Sequence, residues 1–207
     1  MSEAVQRPTI FIVDDDAAVR DSLQLLLGLR GYATRSFANG EEFLAGIGSD
    51  ARGCVLLDLR MAEMGGLAVQ TELAKRGVNL PVVILTAHGD VATTRTALRA
   101  GAFDFLEKPI EESILLATLE AALAREAELR VDMDRQAMLE SRLARLTPRE
   151  RQVLKLVVEG RHNREVAAAL GISPRTVEVY KARIMDKMQV TRLADLIRLA
   201  LDLDLRP

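Results

Sequence analysis

The 207-residue chain has a single cysteine, Cys54, and two histidines. One thiol excludes an internal disulfide, and its place in the apolar run Cys54-Val55-Leu56-Leu57 marks it as a packed small hydrophobe in a reducing compartment. His88 has no second His or Cys at ligand spacing, which argues against a metal site built on it. No apolar run approaches the roughly 20 residues that span a bilayer, and the N-terminal MSEAVQRPT lacks the apolar core of a signal peptide. A soluble, cytoplasmic protein without a membrane partner is expected. No tract is low in complexity, which argues against a disordered chain.

The composition, 49% hydrophobic and 28% charged, suits a globular protein long enough for two modest cores. The net charge of -2 hides an asymmetry. Residues 147 to 207 hold 12 Lys and Arg against 8 Asp and Glu, whereas residues 1 to 146 hold 16 against 22. An acidic module joined to one that tolerates a polyanion fits that split.

In the first module, apolar runs alternate with helical periods. Thr9 to Val13 breaks into Asp14-Asp15-Asp16, after which Val19, Leu23, Leu26 and Leu27 recur at helical spacing up to Gly31. Tyr32 to Phe37 reads as a second strand, and Asn39 with Glu42 as the capped start of a helix through Ile47. The run ending at Asp58 is a third strand; Gly65 and Gly66 punctuate the loop before a helix over Leu67 to Arg76. Pro81 precedes a fourth strand ending at Thr86. A helix over Val91 to Ala100 and a strand over Phe103 to Leu106 follow. Five such alternations predict a doubly wound, flavodoxin-like parallel sheet.

Asp14, Asp15, Asp58, Thr86 and Lys108 each follow the end of an apolar strand, so parallel strands would gather them at one edge of the sheet. Three close carboxylates need a hard cation, and oxygen ligands suit Mg²⁺. With Lys108 and the Thr86 hydroxyl, the set suits a phosphoryl group and a carboxylate that forms an aspartyl phosphate. Taken alone, Asp14-Asp15-Asp16 would read as a solvated turn and helix cap. The four converging segments make the site reading the stronger one.

On these residues, the segment from about 8 to 123 resembles a response-regulator receiver domain. The resemblance implies that Asp58 accepts the phosphoryl group and that Asp14, Asp15, Asp58 and the Arg60 backbone carbonyl hold Mg²⁺. Thr86 and Lys108 would bind the phosphoryl oxygens. Thr86 and Phe105 would be the switch pair, altering the face built from the fourth helix and fifth strand. The Lys108-Pro109 bond is usually cis in this family. Ala62 stands where the family commonly has proline. Arg60 and His88, two residues beyond Asp58 and Thr86, are placed to shield the acyl phosphate from water.

From Glu111 to Arg145 there is no Gly or Pro and helix formers dominate, so the last receiver helix is expected to continue through a linker over 124–142. Leu115, Ala122, Leu129, Gln136 and Leu143 recur every seven residues, which suits a coiled-coil dimer or a solvated connector.

Thr147-Pro148-Arg149-Glu150 is a cap, an N1 proline and a capping-box glutamate, and starts a helix. A short helix from Asn163 ends at Gly171, and Ser173-Pro174 caps a third, forming a helix-turn-helix pattern. A last helix is expected over Arg192 to Leu203. LTPRERQVLKLVVEG and ISPRTVEVYKARIMDKM resemble the four-helix LuxR/NarL-type DNA-binding domain, here over 143–205. With the receiver, the chain resembles the FixJ group of two-component regulators. By that resemblance Pro174 to Met188 enters the major groove with Glu178, Val179 and Ala182 facing bases. Glu178 would accept from cytosine N4 and Val179 would meet a thymine methyl. Arg175, Thr176, Lys181, Arg183 and Lys187 are the candidate phosphate contacts. Val177, Ile184 and Met188 read as core.

The fold expected is therefore an α/β receiver joined by a helical linker to an all-α four-helix domain. The function expected is a DNA-binding transcription regulator, not an enzyme beyond self-catalysed phosphoryl transfer to Asp58 and its hydrolysis. Its expected partners are a sensor histidine kinase, double-stranded promoter DNA, a second copy when phosphorylated, and RNA polymerase, with transcription activated. Two rivals are a Mg²⁺-dependent aspartyl-phosphate phosphohydrolase, which leaves the helix-turn-helix unexplained, and a phosphate-independent DNA-binding regulator.

Overall fold

Short apolar runs bounded by acidic or glycine-rich turns become strands in the computed structural model, which describes residues 8–62, 64–87 and 99–202. The strands are β1 (Thr9–Val13), β2 (Ala33–Phe37), β3 (Gly53–Asp58), β4 (Val82–Thr86) and β5 (Asp104–Glu107). They form one sheet in the order β2-β1-β3-β4-β5, with every pairing parallel. The expected helix over 91–100 lies outside the described residues except for its last two positions, and so does His88.

Successive strand residues point to opposite faces, and each face is covered. Phe11, Val13, Val55, Leu57 and Ile84 pack with Phe43 and Leu44 of α2 (Gly40–Gly46) and Val69 and Leu73 of α3 (Gly66–Lys75). Ile10, Ile12, Cys54, Leu56, Val83 and Leu85 pack with Leu23 and Leu27 of α1 (Ala17–Leu29). The same face takes Leu115, Leu119 and Ala122 of α4 (Glu112–Ala144). β3 is buried along its whole length, which is why its sequence is a continuous apolar run. Gly53 starts it at φ +127°, where a side chain would collide with the Thr9 carbonyl of the neighbouring strand.

α4 is one helix of 33 residues. Its seven-residue period has local causes. Leu115 and Ala122 are buried in the sheet-side core, while Leu143 and Leu146 belong to the core of the C-terminal unit. Residues 131–138 between them are exposed at every position, and Gln136 hydrogen-bonds Glu140. Within one chain, the repeat is thus set by two separate cores rather than by one seam. The chain divides into two compact units, residues 1–130 and 131–207.

The C-terminal unit holds α5 (Pro148–Val158), α6 (Asn163–Leu170), α7 (Pro174–Met188) and α8 (Leu193–Asp202). The Thr147–Glu150 capping box forms as the sequence predicts, with Pro148 at N1. Gly171, in the left-handed conformation, ends α6, and Ser173 caps α7 by accepting from the Thr176 N–H. Val153, Val166, Val177, Ile184, Met188 and Leu196 form its core. No described helix is long and apolar enough to cross a membrane.

Candidate functional site

In a parallel sheet the ligand edge lies at the carboxyl ends of the strands, where the strand order reverses. Here that point lies between β1 and β3. Asp14 follows β1 and Asp58 ends β3, both nearly fully buried at 1% and 5% exposure. Lys108 follows β5, and its backbone N–H donates to the Thr86 carbonyl at the end of β4. The Lys108 ammonium then donates to Asp14 Oδ2 and to Asp58 Oδ1, each at 2.7 Å. The Lys108-Pro109 peptide is cis. Thr86 is buried at the same edge.

The acidic triplet divides its work. Asp16 caps α1 by accepting from the Ala18 N–H, Asp15 is exposed, and Asp14 turns into the site. Asp14 Oδ1 also accepts from the Asp16 N–H at 2.9 Å, and Arg20 Nη1 holds the Asp14 carbonyl at 2.7 Å. Asp58 Oδ2 accepts from the Arg60 N–H at 2.9 Å. Gly66, at the start of α3, donates its N–H to the Leu59 carbonyl and lets the helix lie against the Asp58 backbone.

Burial pushes the Asp58 carboxyl above the usual aspartate range, against the hydrogen bond and charge of Lys108, while Asp14 adds repulsion. Burial also draws the Lys108 ammonium down, but the two carboxylates outweigh it and raise its pKa. The two directions pull apart for one ion pair; the 2.7 Å geometry favours a charged Lys108 bridging at least one ionised carboxylate. The burial of Cys54 pushes its thiol up to about 12, aided by the charge of Glu126, which makes it an inert core residue as expected.

The Mg²⁺ expected from the sequence finds oxygen-only candidates at this edge in Asp14, Asp15 and Asp58, a donor chemistry that fits a hard cation. Among the described residues, however, no three His, Cys, Asp or Glu side chains are gathered as a ligand set. Asp14 and Asp58 converge on Lys108, and Asp15 stands exposed beside them. Phe105 on β5 is 36% exposed, so it is not the plain core residue its type would favour.

In the C-terminal unit Arg175, Glu178, Val179, Ala182 and Arg183 are exposed on α7, and Thr176 hydrogen-bonds Ser173. Lys181 and Lys187 have partners within the unit: Lys181 Nζ reaches Asn163 Oδ1 at 3.0 Å, and Lys187 Nζ reaches Glu150 Oε2 at 2.7 Å. Neither pairing has a local sequence signature. Glu165, which accepts from the His162 N–H, completes half of a cap that the histidine at that position obscured.

The comparisons agree with both units. The response regulator receiver domain family matches residues 10–120, and the luxR family of bacterial regulatory proteins matches residues 144–200. The transcriptional regulatory protein FixJ of Azorhizobium caulinodans is 44% identical over 93% of this chain and 91% of its own. The chain belongs to the FixJ-like DNA-binding response regulators of two-component systems. FixJ of Rhizobium meliloti is 40% identical over 93% of this chain and 95% of its own. Among solved structures, the response regulator StyR superposes with a TM-score of 0.85 at 40% identity, covering 95% of this chain and 99% of StyR. Full-length FixJ from B. japonicum gives 0.57 at 37% identity, covering 97% and 98%. For this response regulator, membership implies a kinase partner and DNA.

Proposed function

We propose that a sensor histidine kinase phosphorylates this regulator on Asp58, and that phosphorylation promotes pairing of two copies on a two-fold related promoter site, activating transcription. The observation that carries this reading is the Lys108 ammonium shared by the buried carboxylates of Asp14 and Asp58. A buried carboxylate beside a fixed cation, at a sheet edge open to solvent through exposed Asp15 and Arg60, is placed to act as a nucleophile. An oxygen of Asp58 attacks phosphorus, the bond from phosphorus to the donor nitrogen breaks, and the donor imidazole leaves with the electron pair.

Asp14, Asp15, Asp58 and the Arg60 carbonyl would hold Mg²⁺, which when bound supplies positive charge to the transferring phosphoryl oxygens. Lys108 and the Thr86 hydroxyl would hold those oxygens from the other side. Phe105, 36% exposed on β5, would turn inward when Thr86 moves, which would reshape the face beside β5. Phosphorylation must favour the pairing state by several kcal/mol to reverse a one-sided equilibrium. Pairing then raises affinity for two half-sites at once. Arg175 and Arg183 would meet phosphates, with Glu178, Val179 and Ala182 toward the bases.

The test is to treat wild-type protein and Asp58→Asn with an acyl-phosphate donor and Mg²⁺, then measure solution mass and affinity for promoter DNA. Both should rise for the wild type alone. A rise in both proteins, or in neither despite a phosphorylated Asp58, would overturn the proposed coupling.

A further inference from the structure

The basic side chains of α7 fall into two groups. At about 100° per residue, Arg175, Glu178, Val179, Ala182 and Arg183 lie away from the buried line of Val177, Ile184 and Met188, and all five are exposed. Lys187 lies on a flank of the helix instead, only part-exposed, with its ammonium on Glu150. Glu150 is 3% exposed, and its Oε2 accepts from both the Thr147 N–H and the Lys187 Nζ, each at 2.7 Å. The same end of α7 is held a second time, since Arg142 Nη1 donates to the Met188 carbonyl at 3.1 Å.

We propose that Lys187 is a positioning residue of the DNA-binding unit rather than a phosphate contact: its ammonium fastens the C-terminal end of α7 to the first turn of α5 through the buried carboxylate of Glu150. The inference rests on the assignment of α7 as the recognition helix. Phosphate and Glu150 would compete for the Lys187 ammonium. To meet a phosphate, Lys187 would have to leave a carboxylate that is almost wholly removed from water and already committed to a helix cap. A buried charge stripped of its partner is costly, whereas forgoing one phosphate contact gives up only the counterion release of a single charge. Keeping the pair is the cheaper arrangement, so the salt dependence of DNA binding should not count Lys187. The resulting rigidity fixes where Glu178, Val179 and Ala182 are presented along the groove.

The test uses full-length protein as Lys187→Met, Lys187→Arg, Glu150→Gln, the double variant Glu150→Gln/Lys187→Met, and Arg183→Gln as the comparison. Urea midpoints and the slope of log affinity against log salt on a mixed-sequence duplex are both recorded. The expected result is a lower midpoint for Lys187→Met and for Glu150→Gln, a double variant that loses less than the two losses added, and retention of the midpoint by Lys187→Arg. The salt slope of Lys187→Met should equal the wild type's, while Arg183→Gln should be shallower by about 0.9, the change for one lost phosphate contact. An unchanged midpoint in Lys187→Met with a slope shallower by about 0.9 would overturn the proposal, as would strictly additive midpoints. Should Lys187→Met fail to fold while Lys187→Arg folds, the brace is supported by that contrast. If Arg183→Gln also keeps the wild-type slope, the assignment of the DNA-facing side fails, and the urea cycle still decides the role of Lys187.

Discussion

Lys108 stands 2.7 Å from both Asp14 Oδ2 and Asp58 Oδ1, although 94 and 50 residues separate it from them in sequence. One ammonium therefore bridges two buried carboxyl groups. Lys108→Ala should lower phosphorylation of Asp58 by an acyl-phosphate donor by on the order of a hundredfold, the loss typical of a fixed charge that stabilises a transition state. The same variant should bind Mg²⁺ more tightly by calorimetric titration, because a competing cation is gone. Weaker Mg²⁺ binding would show that Lys108 acts by shaping the site rather than by its charge.

Two glycines should respond with opposite sign. A Cβ on Gly66 would lie 2.6 Å from the Asp58 carbonyl oxygen, so Gly66→Ala must push α3 away from β3, at about 1–3 kcal/mol by urea denaturation. Gly28 lies within α1, is exposed, and has nothing within 4 Å of an added Cβ. Gly28→Ala should stabilise by about 0.5–1 kcal/mol.

The site was legible because its chemistry sits at strand ends, and parallel strands turn sequence positions into one edge. The boundaries of β4, of α5 and of the helix-turn-helix were legible for a similar reason: a proline, a capping box or a left-handed glycine marks each locally. Tertiary pairings were not. Nothing near Lys187 announces Glu150, 37 residues earlier, and nothing near Lys181 announces Asn163. The heptad pattern left a coiled coil and a solvated connector both open for the same reason, since spacing alone cannot tell one long seam from two cores that happen to be in phase. The role of Gly53 was not legible either, because its need for close approach to Thr9 depends on which strand lies beside it.

The chain has no tryptophan, so Phe105→Trp gives a single reporter on β5. From a position 36% exposed, phosphorylation should shift its emission to the blue and protect it from a soluble quencher. The same change should be missing in Phe105→Trp/Asp58→Asn. Unchanged emission in a fully phosphorylated protein would remove Phe105 from the switch.

Glu150 links stability to pH. Burial pushes its carboxyl up, but the Lys187 ammonium and the Thr147 hydrogen bonds outweigh that and hold it below the usual glutamate range. A depressed folded value means that the pair's stability is present above the unfolded value, about 4.3, and is lost as pH falls through the lower folded value. The stability gap between wild type and Glu150→Gln, taken from urea curves, should therefore be widest near neutrality and close as the pH drops below about 4. A gap that widens on acidification would contradict the ion pair.

Intact mass measures directly whether Asp58 accepts the phosphoryl group, as proposed. Wild-type protein and Asp58→Asn are incubated with a small acyl-phosphate donor and Mg²⁺, quenched in acid, and weighed. One labile phosphoryl group is expected on the wild type and none on the variant. A phosphoryl group on Asp58→Asn, or none on the wild type even with a cognate kinase supplied, would contradict it.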